Sequence, residues 1–287
     1  MNNRRAAFWL LYLPPVAWLG LFFLAPLLLM AAYSFRANMR GELLQWFTPT
    51  VAQYQSLWTA GGGSYIRLLG ISAGMALAVA ASATVLAYPL AYFLAFRAGR
   101  RAGLFLAVLL VPFWTSYLLR VMAWKFLLGS EGGINSLLIY LHLIAEPVTA
   151  LLYNRTAVVI TLIYVWVPFS ALPILAALQR VDPALFEAAA DLGAPPARQF
   201  LRIALPLSMP GVLAAFFMAF IPTVGEYVTP LLIGGSSGSM YGNIIQDFFT
   251  KSTDWPLGSA LSMVMLVGTL ALVAVALRFI DVPRLIE

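Results

Sequence analysis

The chain has no cysteine, so disulfides, thiolate metal sites and cysteine nucleophiles are excluded. It has a single histidine, His142, which has no second histidine to form a metal pair or a base dyad and reads as a surface or packing residue. Lysine is nearly absent as well. Lys125 and Lys251 follow Trp124 and Thr250 rather than glycine, so the Gly-Lys-Ser/Thr core of a phosphate-binding loop is missing. Charged residues make up 10% of the chain, against about 25% in soluble domains. Catalysis by a nucleophile–base pair or a metal cluster therefore has no residues to draw on.

Apolar surface fills the space left by these absences. The 287 residues are 62% hydrophobic with mean hydropathy +0.89, the composition of an all-α polytopic membrane protein. A net charge of +6 would suggest nucleic acid as a partner of a soluble chain. Here the arginines flank apolar runs and read as topology signals, with membrane lipid as the surrounding partner and no nucleic acid. Six spans are expected at about 8–34, 68–96, 102–128, 156–178, 206–232 and 256–278, within one membrane domain covering 1–287. The run after Arg4 and Arg5 is too long for a secretory signal core and lacks a cleavage site, so a retained helix is expected there. Pro14, Pro15 and Pro26 predict a bend or a short interfacial helix within it. Gly61, Gly62 and Gly63 predict a flexible break. The second span is dense in Ala, Gly and Ser, which predicts an internal, closely packed helix.

Six spans put both termini on one side. Arg4, Arg5, Arg97, Arg100, Arg101, Arg180, Arg198, Arg202, Arg278 and Arg284 lie on that side, against Arg36, Arg40, Arg67, Arg155 and Lys251 opposite. The imbalance predicts that the termini and the loop at 181–205 face the cytoplasm.

That loop is a polar island. Arg180, Asp182, Glu187, Asp191, Arg198 and Arg202 crowd into it, while the runs 156–179 and 203–225 carry no formal charge. Its pattern predicts a short helix, a turn and a second helix. Asp182 serves as N-cap with Pro183 at the first helical position. Gly193 stops the first helix in a left-handed C-cap, and Pro195 and Pro196 open the second, which leads through Ile203 to Pro206. So short a hairpin cannot fold alone and must lie on a membrane or in a partner's groove.

Glu187-Ala188-Ala189, Gly193 and Ile203-x-Leu205-Pro206 resemble, position for position, the EAA loop of ABC importer permeases. The resemblance implies a type I ABC permease fold of six transmembrane helices with a cytoplasmic coupling hairpin. It further implies that Glu187, Ala188, Ala189, Asp191, Gly193, Ile203 and Pro206 couple the chain to an ATPase. ATP and Mg would then sit on that partner, with no cofactor and no metal on this chain.

Within the spans acids are almost excluded, and Glu226 stands out as an intramembrane carboxylate. Counting from Pro206 at ~1.5 Å per residue puts it ~30 Å along the fifth span, and Arg120 reaches ~27 Å along the third. Two readings stay open: a structural ion pair between Arg120 and Glu226, or a carboxylate on the solute pathway. Aromatic faces at Phe113, Trp114, Tyr117, Tyr164 and Trp166, with Glu226 and Tyr227, suit an organic ammonium by cation–π attraction and charge pairing. The alternative is that these rings form an interfacial belt or pack helices. Pro112, Pro168, Pro173, Pro222 and Pro230 are expected to break helices and free carbonyls toward a cavity.

Val111-Pro112-Phe113-Trp114-Thr115-Ser116 with Leu119-Arg120-Val121, Gly225-Glu226-Tyr227-Val228 before Gly234-Gly235, and Asp254-Trp255-Pro256 are similar to the spermidine/putrescine permease branch of that family. This resemblance implies an importer in the bacterial inner membrane. Its parts would be two permease subunits, two cytoplasmic ATPase subunits and an extracytoplasmic solute-binding protein that delivers a polyamine. An ABC permease for another small solute remains an alternative. So does an ion-gradient-coupled secondary transporter, although the sequence has neither a clear internal repeat nor a second buried acid.

Overall fold

The computed structural model describes residues 2–37, 49–59 and 63–279, with side chains described between residues 11 and 278. Gly61 and Gly62 of the expected flexible break, and Arg40 and Arg284 of the charge count, lie outside the described residues. Apart from one isolated bridge, Arg36 with Pro49, the regular structure among the described residues is helical. The chain clusters into two compact units, residues 1–67 with 244–268, and residues 68–243 with 269–287.

In the first unit, α1 (Asn2–Leu19) passes through a π-helical turn (Gly20–Leu24) into α2 (Ala25–Ser34). The expected bend or interfacial helix is replaced by this continuous passage. Pro26 lacks an N–H, and the π turn accommodates the gap by letting the Ala25 N–H reach back to the Gly20 carbonyl. Within the apolar segment Leu11–Ser34 only Ser34, at its end, is buried within the chain. The short α3 (Ala52–Thr59) is held to the end of α2 by the Ser34 and Tyr54 hydroxyls, 2.7 Å apart, and by the Gln53 Nε2 bond to the Arg36 carbonyl.

The second unit carries the core. Its elements are most of α4 (Ser64–Phe96), α5 (Ala102–Leu110), α6 (Tyr117–Leu128), α7 (Gly133–Tyr140), α8 (Arg155–Leu178), α9 (Ala184–Asp191), α10 (Pro196–Gln199), α11 (Leu205–Val224) and the start of α12 (Tyr241–Thr250). The last helix, α13 (Trp255–Phe279), extends from the first unit into the second. Expected to be internal, α4 is so on one face only: Ala76, Ala80, Ala83, Ala87 and Ala91 are all fully covered, while Val85, Leu86, Leu90 and Phe93 are exposed. Ala87 and Ala91 pack with Ile174 and Leu178 of α8 and Ala215 of α11. Helices α8 and α11 cross so closely that a Cβ on Gly211 would stand 2.5 Å from the Pro173 carbonyl oxygen. A hydroxyl pair, Tyr88 and Ser208 at 2.8 Å, fastens α4 to α11 inside this core.

Two expectations about the spans are corrected. The third, placed at 102–128, is not one rod: Gly99–Trp114 and Tyr117–Tyr140 meet at 88° across Thr115 and Ser116. Among the described residues five helices are long and apolar enough to cross a membrane, six when this bent pair is counted as one span. The fifth, placed at 206–232, stops at Val224. Its N-terminal side is longer than expected, because Pro196–Val224 is helical through a π turn at Phe200–Ala204. Pro206 therefore lies within a helix and does not separate two.

Prolines behave unequally. Pro168 and Pro173 lie inside α8, and Pro222 inside α11, without the expected breaks. Neighbouring helices in an apolar bundle support a missing backbone bond. Pro112 does precede a break. Its carbonyl accepts the Thr115 N–H at 3.3 Å and the Thr115 hydroxyl at 2.6 Å, so the local side chain satisfies what the bend frees.

Candidate functional site

Two places carry the functional side chains, both in the second unit. The first is the hairpin at 181–205. Asp182 Oδ1 accepts the Ala184 N–H at 2.9 Å at the opening of α9, the expected cap. At the other end Gly193 has φ +74°. The Ala194 N–H reaches the Ala189 carbonyl at 2.9 Å and the Gly193 N–H reaches the Ala190 carbonyl at 2.8 Å, the paired bonds of a Schellman ending. Gln199 Nε2 closes the turn on the Ala194 carbonyl.

The hairpin is anchored by rings. Phe186 meets Phe96 at 5.1 Å, and Phe200 meets Tyr88 at 5.4 Å and Tyr92 at 6.0 Å. With those aromatics turned inward, Glu187, Ala188, Asp191 and Gly193 are exposed, Ala189 and Ile203 are half-buried, and Pro206 is exposed. Leu192 at the tip is 88% exposed, as apolar a protrusion as a helix end can present to water. The sequence reading missed Leu192. Its signal was an apolar residue directly before the C-cap glycine, with no core position to fill.

The second place surrounds the bend in the third span. The Arg120 guanidinium lies 4.6 Å from the Phe113 ring centroid and 5.8 Å from that of Tyr117, and its Nε is buried without a hydrogen-bond partner. It forms no ion pair with Glu226 within 4.0 Å. Glu226 instead accepts, through Oε1, the N–H groups of Val228 at 2.8 Å and Thr229 at 3.1 Å. It thereby caps the helical turn that leads into Pro230–Gly234. The Tyr117 and Thr229 hydroxyls are 2.6 Å apart, and Tyr117 lies within electrostatic reach of both Glu226 and Arg120. Tyr117, Arg120 and Glu226 are thus brought together, with Tyr117 within reach of both charges.

The other ring residues divide. Trp166 meets Phe169 at 5.8 Å, and Phe169 meets Phe113 at 4.0 Å, which extends an aromatic file from the Arg120 site into α8. Tyr164 pairs with Trp124 at 5.4 Å. Both line an open-sided groove of about 550 Å³ together with Leu86, Val108, Leu109 and Pro112. Trp114 is 90% exposed and joins neither group. Tyr227 is 43% exposed; its carbonyl accepts Asn243 Nδ2 at 2.8 Å. Asn243 Oδ1 in turn accepts the Met240 N–H at 2.9 Å, and the Tyr241 N–H donates to Ser72 Oγ at 2.7 Å. Gly242 permits this docking, since a Cβ there would stand 2.6 Å from the Gly225 carbonyl oxygen. Asn243, Ser72 and Gly242 were missed in the sequence, where nothing links residues so far apart along the chain.

Membrane-length helices, one of them sharply broken, with a rigid hairpin projecting between the fourth and fifth, define a membrane transport scaffold. A family model described as "binding-protein-dependent transport system inner membrane component" matches residues 87–287, and the chain belongs to that family: it is the permease subunit of an ABC importer, a multi-pass membrane protein and not an enzyme. It is 34% identical over 250 residues to the spermidine/putrescine transport system permease protein PotB of Escherichia coli K12, covering 87% of this chain and 89% of that protein. It is 29% identical to the inner membrane ABC transporter permease protein YdcU of the same organism, covering 97% and 90%. Among solved structures, a bacterial ABC transporter involved in import of the acidic polysaccharide alginate superposes with TM-score 0.73 at 17% identity over 96% of each chain. That likeness concerns the fold. The family resemblance read from the hairpin and from the 111–121 and 225–235 motifs holds, and the gradient-driven carrier is not favoured.

Proposed function

We propose that this permease subunit carries a polyamine such as spermidine or putrescine, handed over by an extracytoplasmic binding protein, into the cytoplasm. It works beside a second permease subunit and on two cytoplasmic ATPase subunits that hold ATP and Mg. The observation that carries the substrate is the 34% identity to PotB over 87% of the chain. The termini and the hairpin face the cytoplasm, a reading supported by the excess of arginine on that side. Glu187, Ala188, Ala189, Asp191 and Gly193 form the docking face, with Ile203 and Pro206 transmitting its motion to α11. Exposure of Glu187, Ala188 and Leu192 on a ring-anchored hairpin supports this role.

Glu226, with Tyr117 beside it, supplies the charge and ring chemistry that an ammonium group would meet on the pathway; Trp166 and Tyr227 extend the candidate lining, while Trp114, exposed, and Tyr164, on the separate groove, lie apart from it. A second reading, a permease for a small anionic solute, draws on Arg120 and its unpartnered buried Nε. One experiment separates them. The assembled transporter with its binding protein, reconstituted in lipid, is assayed for ATP hydrolysis against putrescine, spermidine and small anionic solutes. Stimulation by the polyamines alone is expected; stimulation by an anion and not by polyamines would overturn the substrate assignment.

A further inference from the structure

The turn between α4 and α5 joins two structural features that the transport reading leaves unused. Arg97, Arg100 and Arg101 are exposed around Gly99, which has φ +51°, and none of the three forms an ion pair among the described residues. The turn lies at the hairpin end of the bundle, because Phe96 beside it touches Phe186 of α9. Below it, each helix presents one apolar stripe at helical spacing. On α4 the stripe is Phe93, Leu90 and Leu86, at 44%, 40% and 54% exposure; on α5 it is Phe105 and Val108, at 40% and 60%. The Phe93 and Phe105 rings meet edge to face at 5.5 Å, so the stripes lie side by side under the arginines. Both end in the groove of about 550 Å³, at Leu86 on one side and Val108 and Pro112 on the other.

The depth of that groove fits one occupant. From Arg97 to Leu86, and again from Arg101 to Pro112, the helices descend ~16 Å at ~1.5 Å per residue. Half of a ~30 Å hydrocarbon core is ~15 Å, the reach of an acyl chain within one leaflet. We propose that this surface is a binding site for one anionic phospholipid, with its phosphate on Arg97, Arg100 and Arg101 and an acyl chain running over Phe93 and Phe105 into the groove. Exposed guanidinium groups without a carboxylate partner among the described residues match a phosphate, and apolar lining at the depth of the chain end matches hydrocarbon. Trp124 beyond the 88° bend lines the same groove as Val108 and Pro112 before it, so the acyl chain touches both limbs of the broken third span.

The proposal is independent of the transported solute, and its test reads lipid rather than transport. Full-length protein in mixed micelles is titrated with dioleoyl phosphatidylglycerol or dioleoyl phosphatidylcholine and examined by native mass spectrometry. The first phosphatidylglycerol should be held at least about 10-fold more tightly than phosphatidylcholine. Val108→Trp, which fills the groove and leaves the arginines intact, should abolish that preference. Combined Arg97→Gln, Arg100→Gln and Arg101→Gln should abolish it too, and Val108→Trp decides the matter where the triple change disturbs insertion. Equal retention of the two lipids, or an unchanged preference in Val108→Trp, overturns the site. Because the sequence has no cysteine, Val108→Cys carries a single photo-crosslinker in the assembled complex. Capture of phospholipid supports the proposal, and capture of another subunit's helix overturns it.

Discussion

Arg120 lays its guanidinium on the ring of Phe113, 4.6 Å from the centroid, across the 88° break in the third span. Phe113 belongs to the 3₁₀ turn before the break and Arg120 to the first turns of the helix after it, so the contact clasps the two limbs. A cation over an aromatic face in a desolvated site contributes about 2 kcal/mol. Phe113→Leu should therefore lower the stability of the solubilised protein by about 1–3 kcal/mol, since it loses ring packing on Phe169 as well. Trp114→Leu, one residue on and 90% exposed, should stay within about 0.5 kcal/mol. Thermal unfolding of the two variants in one detergent checks the difference, and equal losses would dismiss the clasp.

The same geometry separates Glu226 from Arg120. Glu226 serves two backbone N–H groups through Oε1. Glu226→Gln keeps an acceptor oxygen there, so it should assemble normally and lose only charge, with polyamine uptake reduced. Glu226→Ala orphans both donors and should cost about 1–2 kcal/mol of stability in addition. With no ion pair between them, Arg120→Gln should not restore uptake or stability to Glu226→Gln. Purification yield, thermal stability and uptake of the double variant against the single ones provide the measurement, and a rescue would reinstate the ion pair.

How much of this was legible in the sequence depended on how local the determinants are. Asp182 and Gly193 act within a few residues of themselves, and both caps of α9 were readable from spacing. Pro112 signalled a break in the third span, but its place at Thr115 and Ser116 and its sharpness were not readable. It falls inside an apolar run, and the two hydrogen bonds from Thr115 to the Pro112 carbonyl that accommodate it are a use of threonine that composition does not reveal. Pro168 and Pro173 carried the stronger breaker signal yet remain inside α8, because the surrounding bundle decides whether a missing bond matters. Glu226 was recognised as exceptional. Its capping role depended on α11 ending at Val224, which an unbroken apolar pattern does not foretell. Contacts such as Tyr241 with Ser72 lie beyond any periodicity argument.

The Tyr88–Ser208 pair predicts an asymmetry. Both residues are buried, and the Ser208 hydroxyl has a second partner, the Leu205 carbonyl at 3.2 Å. Tyr88→Phe leaves Ser208 with that bond and should cost about 1 kcal/mol. Ser208→Ala strands a buried phenol between α4 and α11 and should cost more, about 1–3 kcal/mol. Thermal unfolding of both variants tests the order, and a larger loss from Tyr88→Phe would contradict it.

Gly211 tests the close crossing of α8 and α11. A methyl group there would stand 2.5 Å from the Pro173 carbonyl oxygen and 2.6 Å from the Ala177 Cβ, both rigid on the facing helix. Gly211→Ala should therefore destabilise by about 1–3 kcal/mol, even though alanine is the better helix former. A gain in thermal stability would show that the helices can part without cost.

Gly193 separates transmission from assembly. Its φ of +74° is unfavourable for any residue with a Cβ, yet nothing lies within 4 Å of where that Cβ would be, so a substitution there acts through backbone strain alone. Gly193→Ala should cost about 1 kcal/mol, confined to the hairpin, and leave partial uptake. Gly193→Pro forces φ near −65° and removes the N–H that bonds the Ala190 carbonyl, so the Schellman ending cannot form and α10 departs at another angle. The core helices α4, α8 and α11 do not depend on that turn, and the variant should therefore insert and purify with normal yield. If the hairpin transmits ATPase motion, its ATP-driven uptake should be lost while the protein remains in the membrane. Glu187→Arg, which leaves the fold of α9 intact and reverses an exposed charge, should act in the same direction. Wild-type uptake by Gly193→Pro would mean that the angle between α9 and α10 carries no motion and that coupling must enter elsewhere.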